Sequence, residues 1–114
     1  MNNLLRLSFV TVLLALLPVL SSAQAIPANA VWIDVRTADE YASGYLPGAH
    51  HIPYDEIVSG VAELKLSHDT PIYLYCRSGR RAERARESLA AEGYSSLTNA
   101  GSLEEARKLS STTP

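Results

Sequence analysis

The chain has 114 residues, a formal net charge of −2 and a single cysteine. That length makes one domain. The slightly acidic balance excludes a nucleic acid or anionic membrane held by bulk charge, and one cysteine excludes an internal disulfide.

Residues 1–25 read as a cleaved secretory signal peptide, and residues 26–114 as the domain. Arg6 gives the positive n-region, Leu7–Leu20 the apolar stretch, and Ser21-Ser22-Ala23-Gln24-Ala25 an Ala-x-Ala cleavage site. The apolar run is short of the ~20 residues of a spanning helix. Cleavage would leave 89 residues with nine basic and twelve acidic side chains, enough for a modest core. In an oxidising compartment a lone cysteine is either a buried thiol or a reactive one.

Val31-Trp32-Ile33-Asp34-Val35 is a compact β-branched run that predicts a buried strand. Thr37-Ala38-Asp39-Glu40 has capping-box spacing and predicts a short helix to about Ser43, closed by Gly44. Ala49–Ile52 predicts a second, short strand. A helical stretch follows Pro53, with Ile57, Val58, Val61, Ala62 and Leu64 on one face and Gly60 as its weak point. Ile72–Tyr75 predicts the third strand, and Arg80–Glu92 a helix packing through Ala82, Ala85 and Leu89, ended by Gly93. Ser96–Asn99 predicts a fourth strand. Ser102-Leu103-Glu104-Glu105 is a second capping box, starting a final helix to about Leu109. Strands alternating with helices imply an α/β fold built on a parallel sheet.

Cys76 ends the third strand, where open parallel sheets place their ligands. Arg77-Ser78-Gly79-Arg80-Arg81 follows it directly. A helix N-terminus nearby, a nest of N–H groups turned inward at Gly79 and three arginines all favour an ionised sulfur and an oxyanion beside it. Loop length discriminates among oxyanions. Cysteine-based phosphatases need five residues between the cysteine and an arginine. Here that position is Ala82, and Arg81 comes one residue early. The shorter cradle suits attack on sulfur better than attack on a phosphate ester.

Asp34 and Arg36 sit at a strand end near this loop, where an unpaired buried aspartate would be costly. Arg84 and Arg86 read as a solvated helix face. His50 and His51 point to opposite faces of a strand, and with His68 in a turn no metal site is expected.

The chain resembles the single-domain rhodaneses, close to the exported thiosulfate sulfurtransferases of bacteria. The likeness lies in Trp32-Ile33-Asp34-Val35-Arg36, Glu40-Tyr41, the run Gly44–Pro53, the loop Tyr75–Ala82, Gly93-Tyr94 and Asn99-Ala100-Gly101. Tyr45 stands in place of the usual histidine, His51 of an asparagine, and Ser102 of a second glycine. The resemblance implies a rhodanese-like sheet of four to five strands, flanked by helices on both faces. It implies a periplasmic enzyme without cofactor that moves the outer sulfur of thiosulfate through a Cys76 persulfide to cyanide or a thiol. Arg77 and Arg81 would bind the sulfonate and stabilise the departing sulfite, Ser78, Gly79 and Arg80 would supply backbone donors, and Asp34 with Arg36 would give structural support rather than catalysis. The alternatives are a persulfide carrier serving an unknown partner protein and, on the same architecture, a cysteine-based arsenate or phosphate-ester enzyme.

Overall fold

A computed structural model describes residues 25–112; apart from Ala25, the expected signal peptide lies outside the described residues. Four parallel strands form one sheet: β1 (Val31–Asp34), β2 (His50–His51), β3 (Ile72–Cys76) and β4 (Leu97–Ser102), in the order β2-β1-β3-β4. Helices α1 (Ala38–Ala42), α2 (Ile57–Glu63), α3 (Arg80–Ala91) and α4 (Leu103–Ser110) fill the connections and the tail, with a 3-10 turn at Tyr54–Glu56 leading into α2. This is the α/β architecture that the strand–helix alternation predicts.

The two central strands read as nearly continuous apolar runs because both of their faces are covered. Period-2 alternation divides their side chains between two cores. Ile72, Leu74 and Cys76 point to one face with Ile33 and Val35, and there meet Ile57 and Val61 of α2 and Ala82, Ala85 and Leu89 of α3. Tyr75 points to the other face and meets Leu46, Ala100 and Ala106 of α4, with Trp32, Leu103 and Leu109 at the margin. The alanines at 82 and 85 let α3 lie close on the sheet. Both predicted capping boxes form: Thr37 with Glu40 opens α1, and Ser102 with Glu105 opens α4.

Three features differ from the sequence expectation. Of the expected α2 face, Ile57 and Val61 are buried and Leu64 partly so, but Val58 and Ala62 are exposed. β4 runs on past Asn99 to Ser102, because a bulge accommodates one extra residue: Leu74 pairs with Asn99 but Cys76 with Ser102. Gly60 is also more than a weak point. A Cβ there would overlap the Ile52 side chain, so glycine is what lets α2 close onto the end of β2. Gly60→Ala would normally gain about 1 kcal/mol of helix propensity. Here we expect a loss of about 1–3 kcal/mol from overpacking, measured as a lowered urea midpoint.

The topology positions the site. From β1 the chain leads through α1 to β2 on one side, and from β3 through α3 to β4 on the other. The loops after these two neighbouring strands therefore part, opening a crevice beyond their carboxyl ends.

Candidate active site

Cys76 is the last residue of β3, and its neighbours Arg77, Ser78 and Gly79 turn the chain into α3. Gly79 is the N-cap residue of α3, with φ +92° and ψ −12°, a left-handed conformation that costs glycine little. That turn aims the Gly79 N–H at the sulfur, 2.9 Å from Sγ. Cys76 is only 1% exposed, so the sulfur lies at the floor of the loop and not on its rim. Arg77, Ser78 and Arg80 are exposed around the opening, and among the described residues neither of these arginines makes an ion pair.

Arg81 is placed differently. Its Nη1 and Nη2 donate to Oε1 and Oε2 of Glu40 at 2.6 and 2.9 Å, a bidentate pair across the crevice from the first turn of α3 to α1. The Arg81 pKa is raised, chiefly by its hydrogen bond to Glu40, with a smaller contribution from negative charge at Cys76. The Glu40 carboxyl is held at about 2, first by Arg81 and further by Thr37. A depressed carboxylate pKa contributes stability above the ordinary value of 4.5 and loses it as pH falls toward 2. The pair is about a quarter exposed, so screening limits the loss to about 1 kcal/mol. We expect Glu40→Gln to flatten this acid limb in urea titrations run from pH 5 to pH 2.5.

Asp34 and Arg36 form the buried brace behind the crevice. Asp34 is fully buried and Arg36 is 7% exposed. Asp34 Oδ1 accepts from the Arg36 backbone N–H at 2.9 Å and from Nε at 3.0 Å, while Oδ2 accepts from Nη2 at 2.6 Å. The same Nη2 donates to the Gly44 carbonyl at 2.6 Å, tying the end of α1 down. The Asp34 hydrogen bonds raise the Arg36 pKa against the effect of burial. The Arg36 guanidinium also lies 5.7 Å from the ring centre of Tyr75, whose hydroxyl accepts from the Leu46 N–H. Burial pushes the Tyr75 phenol up to about 12.

Residues outside the loop join the site. Asn99 on β4 reaches across to it: Nδ2 donates to the Gly79 carbonyl at 2.8 Å, and Oδ1 accepts from the Gly101 N–H at 2.9 Å. Glu40 and Asn99 lie 41 and 20 residues from their partners Arg81 and Gly79. No local pattern flags either contact, although both residues fall inside the stretches that carry the family resemblance. His51 stacks on Tyr41, which stacks in turn on Tyr45, and its Nε2 lies 2.8 Å from the Arg36 carbonyl. Among the described residues no three His, Cys, Asp or Glu side chains gather as metal ligands, and no helix is long and apolar enough to cross a membrane.

A hollow of about 610 Å³ lies between the Tyr54–Ser59 segment and α3, and Cys76 is not among its lining residues. It holds no cysteine or histidine.

A parallel α/β sheet with a cysteine at the end of a central strand, followed by an amide-lined turn into a helix, is the architecture of the rhodaneses. The chain belongs to that family, since the Rhodanese-like domain model matches residues 20–107. It is similar to the thiosulfate sulfurtransferase PspE of Escherichia coli (strain K12), 35% identical over 65% of this chain and 71% of that protein. It is 36% identical to YrkF of Bacillus subtilis (strain 168), a candidate sulfur carrier protein, over 59% of this chain but only 35% of YrkF. Among solved structures, a rhodanese with anions from E. coli superposes with a TM-score of 0.64 at 33% identity, covering 67% of this chain and 89% of that one.

Proposed function

We propose that this rhodanese is an exported thiosulfate sulfurtransferase. The observation that carries the reading is the Gly79 N–H directed at a cysteine sulfur on the floor of an arginine-rimmed loop. The Cys76 thiolate attacks the outer sulfur of thiosulfate. The S–S bond of thiosulfate breaks, and its electron pair leaves with sulfite. A cyanide or thiolate acceptor then attacks the outer sulfur of the resulting persulfide, and the electron pair returns to Sγ. Covalent catalysis divides one transfer into two easier ones, and no metal or redox cofactor is needed to balance either step.

The loop residues divide the work. Backbone N–H groups from Ser78, Gly79 and Arg80 surround the sulfur and the persulfide. Arg77 and Arg80, exposed and without carboxylate partners among the described residues, attract the sulfonate. Arg81, fixed by Glu40, adds positive charge in a set place and stabilises departing sulfite. Asp34 and Arg36 hold the neighbouring loop. Residues 1–25 act as the export signal, which puts the domain in the periplasm.

A second reading, persulfide carriage for a protein partner, is favoured by the similarity to YrkF. Intact mass of the purified protein before and after thiosulfate tests the first step. Gain of one sulfur atom per chain, lost again on adding cyanide, is the expected result. Absence of any gain would remove thiosulfate as donor. The same spectrum reports whether residues 1–25 have been removed.

A further inference from the structure

Both backbone groups of Gly79 are committed. Its N–H points to Sγ, and its carbonyl accepts from two donors, the Glu83 N–H at 3.0 Å and Asn99 Nδ2 at 2.8 Å. The Glu83 bond is the ordinary first bond of α3. The Asn99 bond is not local, for it comes from β4. In a trans peptide the carbonyl and the next N–H point in opposite directions. An oxygen drawn toward Asn99 thus turns the Arg80 N–H away from β4. It also restrains the 79–80 peptide plane, to which the preceding peptide that carries the Gly79 N–H is joined through the φ and ψ of Gly79.

Asn99 is itself held in place. Its Oδ1 accepts from the Gly101 N–H, and Nδ2 also lies 3.3 Å from Glu83 Oε2. The bulge that lengthens β4 brings Gly101 so close that a Cβ on Gly79 would lie 3.4 Å from the Gly101 Cα. The end of β4 thus backs the cysteine loop directly.

We propose that Asn99 is a positioning residue for the anion cradle: by holding the Gly79 carbonyl from β4, it sets the direction of the loop N–H groups that receive an oxyanion beside Cys76. It touches neither the sulfur nor a substrate. The proposal rests on the cradle half of the functional reading and not on sulfur transfer itself.

The test uses two alkylating agents of similar size on the purified protein, anionic iodoacetate and neutral iodoacetamide. A formed cradle favours the anion, so the ratio of their rates at Cys76 reports loop geometry, whereas a general loosening moves both rates together. Asn99→Ala removes all three of the side chain's hydrogen bonds, to the Gly79 carbonyl, the Gly101 N–H and Glu83. Asn99→Ser keeps an acceptor near the Gly101 N–H but is too short to reach the Gly79 carbonyl. Loss of one neutral hydrogen bond is worth about 1 kcal/mol, or about fivefold.

We expect the iodoacetate-to-iodoacetamide ratio to fall about fivefold or more in both variants. With thiosulfate, KM should rise by a similar factor while kcat changes less. A ratio within twofold of wild type in the folded variants would overturn the proposal. So would a wild-type ratio in Asn99→Ser alone, which would assign Asn99 to the Gly101 turn instead. If Asn99→Ala fails to fold, Asn99→Ser decides. A protein with no thiosulfate turnover whose alkylation ratio still depends on Asn99 would sink the thiosulfate reading and keep this one.

Discussion

Cys76→Ser is expected to abolish both sulfur gain from thiosulfate and turnover with cyanide, a loss of at least about a thousandfold, while leaving a folded protein. The activity loss follows from chemistry. An alkoxide is not accessible near neutral pH, and a serine oxygen cannot form the persulfide that links the two half-reactions. The fold survives because serine fits where cysteine does, and its oxygen can take over the hydrogen bond from the Gly79 N–H. Placing a hydroxyl in an otherwise apolar cluster of buried residues costs about 1–2 kcal/mol. Circular dichroism with a urea titration would confirm the fold, and mass spectrometry the missing sulfur. Sulfur transfer retained by Cys76→Ser would refute the assignment.

The largest effect on stability is expected from Asp34→Ala. That change leaves the Arg36 guanidinium buried with its carboxylate gone and only the Gly44 carbonyl as a polar partner at Nη2. Removing one member of a buried ion pair costs about 3–5 kcal/mol, a large part of the ~5–15 kcal/mol that holds a domain together. Replacing the pair together, Asp34→Leu with Arg36→Met, is expected to recover much of the loss, because no charge is then stranded. Thermal and urea unfolding of the three proteins checks this order. If the brace supports the site without taking part in chemistry, activity per folded molecule will fall far less than stability. An Asp34→Ala protein as stable as wild type would show that Arg36 finds other partners and that the pair is no brace.

Much of this architecture is legible in the sequence because its causes are local. Apolar runs of β-branched, aromatic and aliphatic residues make β1 and β3. Thr37 and Ser102 each carry a glutamate three residues on and open α1 and α4. The stripe Ala82, Ala85, Leu89 is the set of α3 residues that becomes buried. The Cys76 loop is contiguous, so its residue types, its length and the helix that follows can be read from one line of text.

What the text could not show depends on residues far apart in the chain. Arg81 reads as free positive charge, yet a carboxylate 41 residues earlier holds its guanidinium fork, because the loops after β1 and β3 meet at one crevice. Gly60 reads as a flaw in a helix until Ile52 is packed beneath it. The bulge near Gly101 has no periodic signal, and it brings Asn99 to the Gly79 carbonyl. Sequence alone determined the elements, the nucleophile candidate and the family resemblance, since hydrophobic period, capping and loop chemistry act within a few residues. Tertiary structure decided which charges are spent on one another and which backbone groups are turned toward the sulfur, since those depend on distances that exist only once the sheet has brought the strand ends together.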